Sequence, residues 1–398
     1  MAVDFSNTLI VAISATALFD LTESENYLVQ LLEQQPANAI KIFREYMTER
    51  ENDPLSIGAG YPLIKALLNL NSYCDDEDRQ DSEVEAPLVE VVIVSKSSPD
   101  TGIQVLNAIL EHDLTISRSA FISGSPIAPY IKDFNVDLFL TTNREDAQQV
   151  ADANICACAI LDATPVNTYE LDTNQLRIAF DGDAVLFDDS GELLYKQKGL
   201  RAFHDREMQM RDLPIEKGPY AELLIKLSNL QDRLPVGLKY SPIKIALVTA
   251  RNAPADLRAI KTLREWGVNV DMAFFLGGLE KTAVLRTFAP HIFFDDSIQH
   301  IDAARDFIPT ALVPYHSTSL LHGDSYLTSK QDAALLAFKP VERPLFAVRH
   351  KSSKKLNQKD KVLYEVAANA QLDHGTDKAG RWPICVRTHT YVGHVFFK

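Results

Sequence analysis

Cysteine is scarce, with four in 398 residues: Cys74, Cys156, Cys158 and Cys385. Cys156 and Cys158 stand as C-x-C with no second pair at metal-ligand spacing. Neither a disulfide framework nor a zinc site is expected, and free buried thiols in a reducing, cytoplasmic setting fit this usage. Long apolar runs are missing too: no stretch reaches the roughly 18 residues a membrane-spanning helix needs. The opening MAVDFSNTLIVAISA has no basic residues ahead of its apolar run, so it reads as a first strand rather than a signal peptide. Basic charge is in deficit, with 40 Lys and Arg against 54 Asp and Glu and a net charge of −14. Such a surface repels a nucleic-acid backbone, yet it tolerates a small phosphorylated substrate beside a local cation. The one basic stretch, KSSKKLNQKDK (351–361), reads as a solvated face.

What the chain has is alternation. Hydrophobic residues make up 46% of it, enough for sizeable cores, and its length exceeds one ordinary domain. Candidate strands fall at 8–13, 89–95, 136–141, 155–161, 176–181, 243–249, 290–295 and 310–314. Helical patterns such as 60–70, 101–111, 219–230, 255–266 and 299–306 lie between them. This order predicts an α/β fold of parallel sheets built from β-α-β units.

The order also repeats. LIVAISATALFD (9–20) parallels LRIAFDGDAVLFD (176–188) with one gap, and DPLSIGAGYPLIKALLNLN (53–71) parallels DLPIEKGPYAELLIKLSNL (212–230). The segments 89–116 and 120–143 parallel 242–270 and 273–297 in the same way. Two related halves are therefore expected, at 1–170 and 171–316, with a C-terminal extension at 317–398 whose role the sequence leaves unread.

The halves differ in chemistry. Ser14 and Thr16 stand where the second half has Asp181 and Asp183, Ser95 stands for Thr249, and Ile127 or a neighbour stands for Lys281. Thr141 and Thr142 replace Asp295 and Asp296. Unpaired carboxylates at strand ends cost stability, so the second half's set points to a reactive site and the first half to the same scaffold without chemistry. In an open α/β sheet the ligand sits off the carboxyl ends of the strands, where Asp181, Thr249 and Asp295 all fall.

Four clustered carboxylates need a cation, and hard oxygen ligands of this kind suit Mg²⁺. Asp181, Asp183, Asp295 and Asp296 form the expected metal shell. Asp181 is the candidate nucleophile toward phosphorus, and Asp183 the candidate acid and base. Gly182 lets the backbone turn toward a phosphate, Thr249 and Ala250 border it, and Lys281 balances its charge. Arg251 either holds phosphate or pairs with an aspartate. A lone D-x-D is a common turn pair, whereas D-x-D, V-T-A-R, K and F-F-D-D in that order form a specific set.

At these motifs the chain resembles the haloacid dehalogenase-like (HAD-like) phosphatases, and within them the cytosolic 5′-nucleotidase type I family. The resemblance is carried by FDGDAVLF (180–187), LVTAR (247–251), Lys281 in FLGGLEK and HIFFDD (291–296), with ALFDL (17–21), DTG (100–102) and LFLTTN (138–143) in the first half. It covers roughly 8–315. It implies two Rossmann-like halves with a small or absent cap, and Mg²⁺-dependent hydrolysis of nucleoside 5′-monophosphates, AMP prominently, through an aspartyl-phosphate. It also implies that Asp183 lends its main-chain carbonyl to the metal, and that Thr249 and Lys281 contact phosphate.

Other readings stay open at this point: a phosphatase or phosphotransferase for another small phosphomonoester, or a non-catalytic nucleotide-binding regulator. The missing lid is expected from the first half or from 189–217. Partners are expected to be a nucleoside monophosphate, with no nucleic acid and no membrane; a homo-oligomer is compatible with the sequence.

Overall fold

The computed structural model describes residues 5–73, 86–161, 175–234 and 241–323, together with two strands of the tail. Ten strands form one sheet: β1 (Leu9–Ile13), β2 (Val89–Ser95), β3 (Arg118–Phe121), β4 (Leu138–Thr141), β5 (Ala157–Ile160), β6 (Leu176–Phe180), β7 (Ile243–Thr249), β8 (Met272–Phe275), β9 (Ile292–Asp295) and β10 (Thr310–Leu312). Their spatial order is β3-β2-β1-β4-β5-β10-β9-β6-β7-β8. Read from each outer edge inward, both halves follow the same order, third-second-first-fourth-fifth. Every pairing is parallel except the junction, where β10 runs antiparallel to β5 at Leu312 and Ile160.

The strands form where short runs of β-branched and aromatic residues are buried on both faces, as parallel sheets require. Alternate residues face opposite layers. Leu9, Val11 and Ile13 join one cluster with Leu176, Ile178 and Phe180, so that core is continuous across both halves. Ile10 and Ala12 face a second cluster in the first half, and Ala179 a third in the second half. A small patch of Ala147, Ile160, Ile301 and Leu312 joins the halves at the junction. Equivalent residues thus share a face while their strands run in opposite directions. The halves are related by an approximate two-fold axis normal to the sheet, and their carboxyl-end crevices open at opposite edges of it.

Between β6 and β7 lie the helical stretch Ser190–Gln209, broken at Gly199 (φ 77), and the helix Ala221–Arg233. Neither adds strands, so the insert is small. β3 and β8, absent from the sequence expectation, are the outer strands of the sheet, and their side chains are partly exposed.

The chain divides into two units, Met1–Phe338 and Lys339–Lys398. In the second unit Pro383–Arg387 pairs antiparallel with Val392–Phe396. The basic stretch 351–361 lies outside the described residues.

Candidate active site

The sequence after β6 departs from its counterpart by one residue, and the structure shows where it goes. In the first half Ser14 caps a one-turn helix, Ala15–Leu18, its Oγ accepting from the Ala17 amide at 3.3 Å. In the second half Gly182–Leu186 makes a wider turn, closed by the Phe187 amide donating to the Gly182 carbonyl at 2.8 Å. Asp183 is extended (φ −69, ψ 141), and Ala184 sits in the left-handed region (φ 60, ψ 0). That conformation costs a residue with a Cβ about 1–2 kcal/mol. Wide turns of this type recur at functional sites, and here the wide turn carries Asp183.

The return contacts are the same in both halves: the Gly58 amide donates to Leu18 and the Gly218 amide to Leu186, at 2.8 and 2.9 Å. A Cβ on Gly218 would lie 2.2 Å from the Phe187 carbonyl oxygen, and one on Gly58 would lie 2.6 Å from that of Ala17. Only glycine lets these segments approach so closely.

At the carboxyl ends of β6 and β9 the Lys281 ammonium lies 2.8 Å from Asp181 Oδ1 and 2.7 Å from Asp295 Oδ2. Lys281 occupies the N-cap position of the helix Thr282–Phe288, and the buried Ile127 holds that position of Ala128–Asp133 in the first half. His300 Nδ1 reaches both Asp295 oxygens, at 3.1 and 3.0 Å, and the Ser297 amide donates to Asp295 Oδ1 at 2.8 Å. Burial pushes the Asp181 carboxyl up to about 6, with Asp295 reinforcing and Lys281 and His300 opposing. Burial would also raise Asp295, but His300 and Lys281 outweigh it and hold that carboxyl below its ordinary range. Burial alone would lower Lys281; its two carboxylate partners reverse the sign and raise it.

The other expected residues sit around this centre. Thr249, at the end of β7, is buried, and its Oγ1 accepts from the Arg251 amide at 3.2 Å; Ala250 is exposed beside it. A Cβ on Gly182 would come within 3.1 Å of Thr249 Oγ1, so the two loops touch. Asp296 turns toward Tyr315, whose hydroxyl donates to its Oδ2. Burial, then Asp295 and Asp181, push the Asp296 carboxyl well above its ordinary range.

Arg251, which the sequence left between phosphate and aspartate, pairs with Asp183: Nε donates to one oxygen at 2.7 Å and a terminal nitrogen to the other at 2.6 Å. Its remaining edge meets the buried Glu207 at 2.7 Å. Glu207, Tyr315 and Glu192 were not legible as site residues. Glu192, raised by burial and by the nearby Asp183 and Asp181 charges, sits in the first turn of the insert.

The first half's crevice is filled by hydroxyls. Thr16 Oγ1 lies 2.7 Å from Thr142 Oγ1 and 3.1 Å from Ser14 Oγ, while Ser95 donates to Ser97 at 3.0 Å. Lys96 and Asp146 form an ion pair. Among the described residues, a metal-type cluster is found only at Asp181, Asp295 and His300, whose ligand atoms lie within 4.8 Å of one another. A cavity of about 460 Å³ adjoins the site, lined by Ala184, Asp188 and Tyr315 from the second half and by Asp137, Ile155 and Cys158 from the amino ends of the first half's strands.

No described helix is long and apolar enough to cross a membrane. Over 304 residues the chain is 32% identical to human cytosolic 5′-nucleotidase 1B, covering 75% of this chain and 47% of that protein. It therefore spans about half the length of this curated relative. The 5′-nucleotidase family profile matches residues 1–320, most of the chain and all of the ten-stranded sheet, and the protein belongs to that 5′-nucleotidase family.

Proposed function

We propose that this chain hydrolyses nucleoside 5′-monophosphates, AMP among them, with Mg²⁺ and through an aspartyl-phosphate on Asp181, and that it works in the cytosol as its human relative's name says of that protein. One observation carries the reading most: the buried Lys281 bridging Asp181 at 2.8 Å and Asp295 at 2.7 Å where β6 and β9 end. Buried ions are costly to fold around, and the twin crevice has Ser14 and Thr141 in place of Asp181 and Asp295, with no lysine among the described residues bridging two strand ends.

The residues fit a hard divalent cation. Asp181 Oδ1 is buried and, though near Lys281, has no aligned hydrogen-bond donor. Asp295 and Asp181 supply two oxygens in one place, and the main-chain carbonyl of Asp183 and the carboxyl of Asp296 lie within the same loops. Oxygen donors of this kind suit Mg²⁺. A bound ion would neutralise the carboxylates and draw charge from the phosphoryl oxygens.

The chain's own groups supply the remaining steps. Thr249 and Lys281 hold phosphoryl oxygens. An Asp181 oxygen bonds to phosphorus as the bond to the 5′ oxygen breaks. That oxygen keeps the electron pair and takes a proton from Asp183. Water then attacks the phosphorus of the aspartyl-phosphate, Asp183 accepts the water's proton, and phosphate leaves.

The test is phosphate release over a panel of nucleoside and sugar monophosphates with Mg²⁺ and with EDTA. Release from nucleoside 5′-monophosphates that EDTA stops and Mg²⁺ restores is the expected result. No release, or release indifferent to EDTA, overturns the reading.

A further inference from the structure

Arg251 is almost wholly enclosed, and all three of its guanidinium nitrogens are engaged. Two form a fork on Asp183, at 2.7 and 2.6 Å, and the third donates to Glu207 Oε2 at 2.7 Å. The rings of Phe187 and Phe203 flank it at 5.2 and 5.3 Å. Glu207 is itself 1% exposed and accepts a second guanidinium, with Arg258 donating to Oε1 at 2.7 Å. Arg258 is anchored in turn, donating to the carbonyls of Leu213 at 2.9 Å and Pro214 at 3.0 Å. On its other side Asp183 meets the insert's first turn, where a Cβ on Gly191 would lie 2.4 Å from Asp183 Oδ1. Asp183 is therefore held between two points of one segment, Gly191 at its start and Glu207 near its end, with Arg251 as the intermediary.

We propose that Glu207 is a positioning residue for proton transfer: by sharing Arg251 with Asp183 and being fixed by Arg258, it sets where the Asp183 carboxyl stands relative to the leaving oxygen. This rests on the proposed role of Asp183 as proton donor. A fork on both oxygens with no second anion would tie Asp183 to Arg251. Glu207 takes part of that charge and fixes the guanidinium plane, so that one Asp183 oxygen can turn to the substrate while the other stays held. Bidentate pairs carry this kind of directional control. Misplacing a catalytic group by about 1 Å can cost ~10²-fold in rate.

The test compares two leaving groups on one nucleoside. From AMP, adenosine departs through its 5′ oxygen as an alkoxide and needs the proton. From the 5′-S-phosphorothiolate analogue of AMP, with sulfur as the bridging atom, the nucleoside leaves as a thiolate, which is stable near neutral pH because thiols ionise at about 8.5. In the full-length enzyme, Glu207→Gln is expected to lower kcat/KM for AMP ~10- to 100-fold, a partial loss of the ~10²–10⁴-fold that general acid catalysis supplies. The fall for the sulfur analogue should be at least ~5-fold smaller, so that the ratio between the substrates shifts. The ratio is unaffected by the fraction of folded enzyme, and Arg258→Lys, expected to shift it the same way by less, serves if Glu207→Gln yields no soluble protein. Parallel losses on both substrates, or no loss on AMP, overturn the proposal. Failure of the wild-type protein to release phosphate from AMP is a separate result and overturns the functional reading instead.

Discussion

Replacing Asp181 with asparagine should make the metal-free protein more stable while removing its proposed nucleophile. The Asp181 carboxyl is fully enclosed and rises from 3.8 to about 6 on folding, chiefly because burial disfavours its charge. A shift of about two units at 1.36 kcal/mol each corresponds to about 3 kcal/mol. The sign follows from which state holds the proton. Between pH 4 and 6 the native state binds it more tightly than the unfolded state, so stability from this group is present below pH 4 and is lost as pH rises to 6. Above that the penalty is constant. Asparagine keeps the shape, carries no charge and escapes the penalty. The attraction to Lys281 is already inside this balance, since it is one of the effects that lower Asp181.

With an unfolding entropy of about 2.1 cal/mol/K per residue, the unit Met1–Phe338 loses about 0.7 kcal/mol per degree near its midpoint, so the gain is about 4 °C. Thermal melts of Asp181→Asn and wild type in EDTA, from pH 4 to 8, read this directly. The variant should melt higher at pH 7–8, with the gap closing toward pH 4. Equal or lower stability of the variant at pH 7.5, or a gap that ignores pH, refutes the reasoning.

The same variant should lose at least ~10⁴-fold in phosphate release, as removal of a nucleophile does, whereas Ser14→Ala in the twin crevice should leave steady-state kinetics unchanged. Mg²⁺ at about 100 times its dissociation constant should stabilise wild type by about 2.7 kcal/mol in a thermal-shift titration, and Asp181→Asn by clearly less. Gly218→Ala and Gly58→Ala should each cost about 1–3 kcal/mol in urea melts, because the new Cβ meets a carbonyl oxygen at 2.2 or 2.6 Å. Only Gly218→Ala should also lower kcat, since the carbonyl it displaces belongs to Phe187, at the end of the Asp183 turn.

Much of the sheet was legible because its strands are short apolar runs set between helical periods. β2 and β7 match the expected bounds 89–95 and 243–249, and the other central strands shrink by one to three residues. β3 and β8 escaped because both outer strands are only four residues long and partly buried: Arg118 and Ser119 make half of β3 polar, and β8, though apolar throughout as MAFF, is too short to stand out as a strand. The repeat, read from four matched blocks, has a structural counterpart in the strand order of each half, and the single gap after residue 180 is the extra residue of the wide turn.

Of the candidate site, Asp181, Thr249 and Asp295 could be picked out together because each lies at or next to a strand end, whereas Lys281, at the N-cap of Thr282–Phe288, was picked out only from its place in the order of motifs. Glu207 was not, because its meaning lies in a contact with Arg251 across 44 positions, and a glutamate in a charged helix looks like any surface residue. His300 stood near the last motif, but only the fold turns its ring onto Asp295.

The antiparallel junction between β5 and β10 decides what the first half can contribute. Parallel addition of the second half to the first would have put both carboxyl-end crevices on one edge, side by side. The antiparallel seam instead sends them to opposite edges, so the hydroxyl-lined crevice around Ser14, Thr16 and Thr142 faces away from Asp181. What the first half presents on the Asp181 edge is the opposite end of its strands. Asp137, Ile155 and Cys158 there wall the 460 Å³ cavity together with Ala184 and Tyr315. Asp137 also receives the Lys226 ammonium at 2.6 Å and the Ile10 amide at 2.8 Å, which fixes that wall to both halves. The contents of the first half's own crevice are thereby separated in space from the packing at its other end. Hydroxyls can therefore stand in the first half's own crevice without disturbing the surface that borders the second half's site.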